Sequence, residues 1–545
     1  MTYDLLQDPA TGAAPTDRSD SGGPRETEGD RSVLEPAPTR RRGPLATLLL
    51  QPTSLVVLGA VVVGTVLRLL VPRGIWLDEA ISVHDARLPY GAMLHTQATT
   101  DVHPPLYFTI LWLSGRAIGF GEFAIRLPSI ILGVTIIPLA YLLGKEAYDR
   151  RTGAVTAVLV AFAPLLVWYS QETRMYMLLM VLGVCALWAQ LRILRRSGVG
   201  LDGPAIAQSG WGGWGGWWPW IVYTVCTAGL AWTQYFGLWQ VAFQQAVFVV
   251  VLVVRWRRHR SAGPLALAWV VSAVIILATL VPLAALAHQQ FSVHQSTGQA
   301  FGVTVKGADS GSIGIYSVLT NVAWGFIGYH SDAAMATMVA LWPVGMLIAL
   351  GLLGRRPRPV SFYLVGAVVT PIALMFALGM LKSNLFEIRY MSTIVPVLFL
   401  LTARAVTAVV VSQRVTVIVT LALVVVLCVG LVDQQTSSTN PRRYDFREAV
   451  HLVDAQARPG DIVYFRPSDL WSVVGYYGPG LHARSLSADP PLPSDGHRVF
   501  LITSPSLMDG TTDQAAVTSA IDELGAYGVL IEDRSFPNVR VRVYK

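Results

Sequence analysis

Two acidic residues stand side by side in Trp76-Leu77-Asp78-Glu79-Ala80, a few positions beyond the first long apolar run. Carboxylates at a membrane edge are costly to desolvate, so their presence there calls for a reason. One chemical reason is general-base catalysis. Either Asp78 or Glu79 could take the proton of an acceptor hydroxyl as it attacks, provided partial desolvation brings its pKa toward neutrality. A helix N-cap or a solvated loop pair is the plain structural alternative. A second cluster follows in Asp101-Val102-His103-Pro104-Pro105-Leu106-Tyr107. Two prolines fix φ and suit the first turn of a helix, which puts Asp101 and His103 near its N-terminus. Free N–H groups there favour an anion, and His103 could donate to a phosphate. Capping by Asp101 is the simpler alternative.

Further along, Gln171-Glu172-Thr173-Arg174 forms a tight connection between two apolar runs. Glu172 and Arg174 read either as a structural ion pair or as a second acidic site facing the first. Lys382, Arg389 and Tyr390 bound another short connection, with Glu387 close by. A cation here could neutralise the phosphate of a lipid leaving group, whereas a basic side chain at an interface often only snorkels to water. Lys382 fits snorkelling, and so does Arg68 near the end of the first run. Arg389 is the better candidate to face a site. The chain contains no Gly-rich phosphate loop, no paired Cys/His metal spacing and no nucleophile elbow, which argues against nucleotide-driven transport.

The elements that must position these residues are membrane spans. Of the 545 residues, 53% are hydrophobic and only 14% charged, against roughly 25% charged in soluble domains. Many apolar runs approach the roughly 20 residues needed to cross a bilayer, so the expected class is a polytopic α-helical membrane protein. The net charge of +7 sits mostly between apolar runs, where it orients helices, and gives no reason to expect nucleic acid. Cys185, Cys226 and Cys428 lie in apolar segments and read as small core residues. Residues 1–45 are polar, rich in Pro and Gly and without apolar periodicity, as expected of a disordered tail. Arg40-Arg41-Arg42 places that tail in the cytoplasm, and the pattern of a cleavable signal peptide is missing.

Spans are expected near 54–71, 127–144, 154–169, 175–192, 217–235, 237–254, 264–287, 335–353, 360–380, 391–408 and 414–432, eleven in all. The stretch Pro104–Gly119 covers only about 24 Å as a helix, short of the roughly 30 Å hydrocarbon core, and is expected to be interfacial or re-entrant. Treating it so puts every strong basic cluster inside. The transmembrane region is then 46–432, with outward loops at 72–126, the site-bearing loop, and 288–334. Residues 433–545 also lie outside. A helix start at Asp445–Val450 and short apolar runs at Gly460–Phe465 and Val499–Thr503 argue for a small extracytoplasmic α/β domain.

These motifs together resemble the GT-C superfamily of polytopic glycosyltransferases. The chain is most similar to bacterial relatives of the dolichyl-phosphate-mannose protein mannosyltransferases and of the lipid A aminoarabinose transferase, a family-39-like group. The carrying residues are Trp76-Leu77-Asp78-Glu79, the Asp101–Tyr107 cluster, Arg126-Leu127-Pro128-Ser129, Tyr169–Tyr176, and Arg389-Tyr390 before Pro396. Thr233-Gln234-Tyr235-Phe236 has Gln where many relatives carry His, so it stays outside the expected catalytic set. The resemblance implies a sugar donor built on polyprenyl phosphate, used at the outer face of a cell membrane, with mannose as one candidate sugar. It implies an extracytoplasmic protein or glycan acceptor, Asp78 as catalytic base, and inversion at the anomeric carbon. Glu79 would be its partner, and His103, Arg174, Arg389, Asp101, Glu172, Tyr107 and Tyr390 would bind the donor phosphate and substrate. Some superfamily members need a divalent metal; Asp78, Glu79, Asp101 and Glu172 could hold one, though their spacing does not demand it. The competing classes are a secondary transporter or lipid flippase and a non-catalytic envelope receptor. The acids gather in loops rather than at mid-membrane and no inverted repeat is present, which disfavours the transporter.

Overall fold

The computed structural model describes residues 52–70, 73–197, 214–259, 263–297, 314–330, 358–381, 386–409, 412–486, 496–508 and 510–545. The tail at 1–45, Lys382 and the expected span at 335–353 lie outside the described residues.

Helix α1 (Pro52–Leu69) buries only Ala60, Gly64 and Arg68, spaced four apart on one stripe. Most of its leucines and valines are exposed, as suits a surface bathed in lipid, where small residues make the helix contacts. Three short helices follow: α2 (Leu77–Arg87), α3 (Tyr90–Thr99) and α4 (Leu106–Ile118). At 13 residues, α4 is the short helix expected within Pro104–Gly119. It leads to α5 (Glu122–Ala147). Next come α6 (Arg150–Phe162) and α7 (Pro164–Ser170), two halves of one path bent by 60°. The central helix is α8 (Tyr176–Arg196), most of which is buried.

The bend explains Arg68, which does not snorkel. Pro164 has no N–H to offer the preceding turn, so carbonyl groups there lose their helical partner. Arg68, fully buried, donates to the carbonyls of Val160 and Ala161 at 3.3 and 3.1 Å and to Ser170 Oγ at 3.1 Å. Gly133 lets α5 approach this knot, since a Cβ there would sit 2.0 Å from Ser170 Oγ.

The bundle continues with α9 (Trp214–Thr233), α10 (Leu238–His259), α11 (Gly263–Thr297), α12 (Ile315–Ile327), α13 (Pro359–Leu381), α14 (Ile394–Val409) and α15 (Gln413–Thr436). Among the described residues seven helices are long and apolar enough to cross a membrane, or eight if the bent pair is one span. The expected span at 217–235 is the 20-residue α9, too rich in Gly and Trp to pass the same apolar measure. The expected span at 391–408 is the 16-residue α14.

After α15 the chain turns into α16 (Phe446–Gln456), α17 (Trp471–Tyr477) and α18 (Gly510–Tyr527) around a five-stranded sheet. Its strands are β1 (Ile462–Arg466), β2 (Ala483–Ser485), β3 (Val499–Thr503), β4 (Leu530–Phe536) and β5 (Val539–Tyr544), in the order β2-β1-β3-β5-β4. β1 runs parallel to β2 and β3, and β5 antiparallel to β3 and β4. Both apolar runs read as strands are strands, and β3 is buried along its whole length.

This α/β segment grips residues 73–76, ahead of α2, and the start of α5. Tyr477 Oη accepts from the Ile75 N–H at 2.7 Å, and Tyr476 Oη donates to the Phe120 carbonyl at 2.9 Å. Arg447 bonds the Arg73 carbonyl and Glu122. Tyr444 stacks on Trp76 and on Phe446. A side chain at Gly74 would meet Tyr477 and Arg447 at about 3 Å, so the close approach needs glycine.

Candidate active site

Asp78 and Glu79, adjacent in sequence, part company in space. At the first turn of α2, Glu79 points inward and is fully buried. Its Oε1 accepts from Arg126 Nε at 3.0 Å and the Thr173 N–H at 2.8 Å. Its Oε2 accepts from Arg126 Nη2 at 2.8 Å and the Trp76 N–H at 3.3 Å. Arg126 spends its other donors on the carbonyls of Arg73 and Gly74. Burial alone would raise the Glu79 carboxyl, but Arg126, Arg73 and the Thr173 amide hold it below the usual range. Every lone pair of Glu79 is engaged, so it organises the start of α2 and has no face left for a substrate.

Asp78 faces the other way, with its side chain 20% exposed. Its Oδ2 lies 3.8 Å from Arg174 Nη2 and 3.9 Å from Arg389 Nη1, near enough to attract and too far to hydrogen-bond. One turn on, Ser82 Oγ donates to the Asp78 carbonyl at 2.7 Å and accepts from Arg174 Nη1 at 3.0 Å. Arg174 thus crosses from the α7–α8 connection to α2.

Asp101 and His103 buttress Arg174. His103 Nδ1 is 2.6 Å from Asp101 Oδ1, and its Nε2 is 3.3 Å from Arg174 Nη2. A guanidinium can only donate, so Nε2 accepts and Nδ1 carries the hydrogen. No N–H of that ring then remains for a phosphate, which corrects the expected role of His103. Asp101 Oδ1 also accepts from the N–H groups of Val102 and His103 and caps this turn rather than α4. Burial would raise the Asp101 carboxyl; His103 and Arg174 bring it down to about 2. Nearby Asp85, on the same α2 face and missed by sequence reading, accepts from Gln97 at 3.2 Å. Burial and the Asp101 charge push its carboxyl up to about 7.

Glu172 and Arg174 form no ion pair; they point to different neighbours. Glu172 Oε2 is 3.8 Å from Arg73 Nη2, and the Arg73 guanidinium sits over Trp168, 3.3 Å from the ring centre. Burial raises the Glu172 carboxyl to about 7 despite Arg73, with Glu79 and Asp78 adding to the rise. Burial lowers Arg73 to about 10, with Glu172 and Glu79 opposing the fall.

Glu172 lines a narrow cavity with Trp76, Trp168, Tyr329, Arg389 and Arg442. It offers only ≈ 10 Å³ to a water-sized centre, room for about one water and none for a sugar. Its walls carry buried polar atoms with no hydrogen-bond partner among the described residues, Trp76 Nε1, Glu172 Oε1 and Arg389 Nη2, and Glu387 Oε1 next to Arg389 is another. Such atoms are rare in folded proteins and mark a place where something else can bond. Arg389 joins the cavity to Asp78, which it approaches, and meets Glu387 Oε2 at 2.5 Å. Its guanidinium lies 4.9 Å from the centre of the Tyr390 ring, which in turn packs on Phe236.

Tyr107 does not join the site. It is 1% exposed and bonds Ser129 Oγ at 3.0 Å inside the packing of α4 on α5. Among the described residues no three His, Cys, Asp or Glu side chains gather as metal ligands. The four carboxylates considered for a metal do not converge, because Glu79 is turned to Arg126 and Asp101 to the His103 ring. Asp78, Asp101, His103, Arg174 and Arg389 come together; Glu172 and Tyr390 adjoin; Glu79 and Tyr107 turn away. Sequence reading missed Arg126, Arg73 and Arg442 as site-builders. Arg126 lay in a quoted motif, whereas Arg73 and Arg442 each follow the end of an apolar run and look like interface charges.

Residues 102–203 match the family described as dolichyl-phosphate-mannose-protein mannosyltransferase, a stretch that runs from His103 through Arg174 to the end of α8. No curated protein sequence matches the chain. Among solved structures, the chain is similar to ArnT from Cupriavidus metallidurans in the apo state, with a TM-score of 0.54 and 14% identity over 92% of this chain and 98% of that one. The same ArnT bound to undecaprenyl phosphate aligns with a TM-score of 0.51 and 13% identity over 90% and 97%. The fold is shared with ArnT along nearly the whole chain, and with the family match it bears out the resemblance to GT-C glycosyltransferases.

Proposed function

We propose that this chain is a membrane glycosyltransferase that moves a sugar from a polyprenyl-phosphate donor to an acceptor hydroxyl at the outer face of the membrane. The observation that carries the reading is Asp78: a partly exposed carboxylate, unbonded at its tip among the described residues, between two arginines at 3.8 and 3.9 Å, beside a cavity of unpartnered polar atoms. The family match and the shared fold support the reaction class, and ArnT itself has been seen with undecaprenyl phosphate bound. Orientation rests on charge: Lys145, Arg195 and Arg196 end helices that begin at the site, so the basic end is inside and the site outside.

In the proposed step Asp78 takes the acceptor's hydroxyl proton as its oxygen bonds to the anomeric carbon. The bond from that carbon to the phosphate oxygen breaks, and its electron pair leaves with the lipid phosphate. One displacement inverts the anomeric configuration. Arg389 and Arg174 balance the charge that builds on the phosphate. The Asp101–His103 pair holds Arg174, and Glu79–Arg126 holds the turn that presents Asp78; both are positioning roles. Mannose fits as the sugar and a protein or glycan as the acceptor on the strength of the family alone.

The test is transfer from a polyprenyl-phosphate sugar in membranes carrying the full chain. Asp78→Asn should lower turnover by about 10²–10⁴-fold, the range for loss of a general base. Undiminished transfer would remove Asp78 from the chemistry.

A further inference from the structure

Arg442 lies in the turn between α15 and α16, where the bundle hands over to the α/β segment. Its Nη2 is 3.0 Å from Glu387 Oε2, the oxygen that Arg389 also approaches. Two guanidiniums therefore share one carboxylate oxygen, and both line the cavity described above. The second oxygen of Glu387 and the Nη2 of Arg389 are buried without hydrogen-bond partners among the described residues. Arg174, Arg389 and Arg442 against Asp78 and Glu387 leave a net positive charge. Glu172 across the cavity, raised to about 7 by burial, offsets little of it below that pH.

The position of Arg442 is built. Its N–H bonds Asn440 Oδ1 at 2.9 Å, and Asn440 Nδ2 reaches back to the Gln434 carbonyl at 2.7 Å. Asn538, at the β4–β5 hairpin with a φ of 54°, donates to the carbonyls of Asn440 and Arg443. The Arg442 guanidinium lies 5.6 Å from the centre of the Tyr329 ring. A hairpin of the sheet thus fixes the turn that aims this arginine into the cavity.

We propose that Arg442 is a second ligand, with Arg389, for the phosphate of the lipid-linked sugar donor, so that the α/β segment supplies part of the substrate site. Glu387 is the positioning residue that keeps the two guanidiniums together while no phosphate is bound, and since the cavity as it stands holds about one water, Glu387 must give way for the phosphate to enter. Planar guanidiniums suit this role because each can grip two phosphate oxygens at once. The inference rests on the lipid-phosphate reading and is separable from it.

The experiment measures binding of farnesyl phosphate, with farnesol as the uncharged control, to the full chain in detergent by thermophoresis. The wild type should bind the phosphate and not the alcohol. Arg442→Gln, which can still bond Glu387, should weaken binding by about tenfold or more, the worth of one charge-assisted hydrogen bond, with its melting temperature unchanged. Arg442→Lys should recover part of the loss. Arg443→Ala, which removes the neighbouring charge, should bind as the wild type does. If the wild type binds phosphate and alcohol alike, the lipid-phosphate reading falls and the inference with it. If the wild type prefers the phosphate and Arg442→Gln binds it equally well, the inference alone falls.

Discussion

Around Glu79 four donors meet two carboxylate oxygens, and the facing Arg126 uses its remaining nitrogens on backbone carbonyls. Around Glu387 two guanidiniums crowd one oxygen, while the other oxygen and one arginine nitrogen bond nothing among the described residues. Both are buried arginine–glutamate pairs at the same end of the bundle. A buried pair is stable when every polar atom is satisfied and becomes a site when some are left over. The first region reads as a frame and the second as a receptor for an anion. Substitutions in the frame should cost stability; substitutions in the receptor should cost transfer while the fold survives.

The largest effect is expected from Arg126→Ala. It strands the Glu79 carboxylate and frees the carbonyls of Arg73 and Gly74, and removing one partner of a buried ion pair typically costs about 3–5 kcal/mol. Thermal melting in detergent should show little or no folded protein. A variant that melts like the wild type would show that the frame is not one. Next comes Arg389→Ala, on the open side. Transfer should fall by about 10²-fold or more, the order found when one preorganised charge-stabilising donor is lost. Its melting temperature should stay close to the wild type. Loss of folding instead would place Glu387–Arg389 with the frame and erase the distinction between the two regions.

Glu172 sharpens the comparison through pH. Its carboxyl is raised from 4.5 to about 7, so folding favours the protonated acid. That contribution is complete below about 4.5 and is lost as pH rises through about 7. Glu172→Gln removes the dependence, so its stability relative to the wild type should rise from pH 5 to pH 8, by at most about 3 kcal/mol. Asp85 titrates in the same window in both proteins and cancels from the difference. An equal difference at both pH values would mean that Arg73 pairs with Glu172 as a full ion pair and that the cavity wall is closed there.

Much of the fold was legible because a bilayer demands long apolar runs, and α1, α5, α8 and α15 fall where those runs lie. The pair Asp78–Glu79 stood out in the sequence, but not the way its two side chains part. Neighbouring helix residues point about 100° apart, and which one meets Arg126 depends on a contact 47 positions away. Arg68 misled for a similar reason: its proper reading needs the carbonyls freed by Pro164, on a helix that only packing brings close. Glu172 and Arg174 sit two apart in a turn, and the turn sends them to different neighbours. Arg442 carried no signal beyond a basic pair after the last span, because its meaning comes from a hairpin almost 100 residues later.

Tyr107 gives the smallest effect. Its place in the Asp101–Tyr107 motif pointed to substrate, whereas its packing points to the frame. The phenol is 1% exposed, and its single hydrogen bond runs to Ser129 on α5. Tyr107→Phe keeps the ring and removes that bond, so stability should fall by only about 1 kcal/mol. Transfer should keep both its KM and its turnover, because the phenol oxygen reaches neither Asp78 nor the cavity wall. A rise in KM for the sugar donor of tenfold or more would put Tyr107 on the substrate after all. α4 would then have to move when the donor binds, and the line between frame and receptor would run through α4 instead of along the buried face of α2.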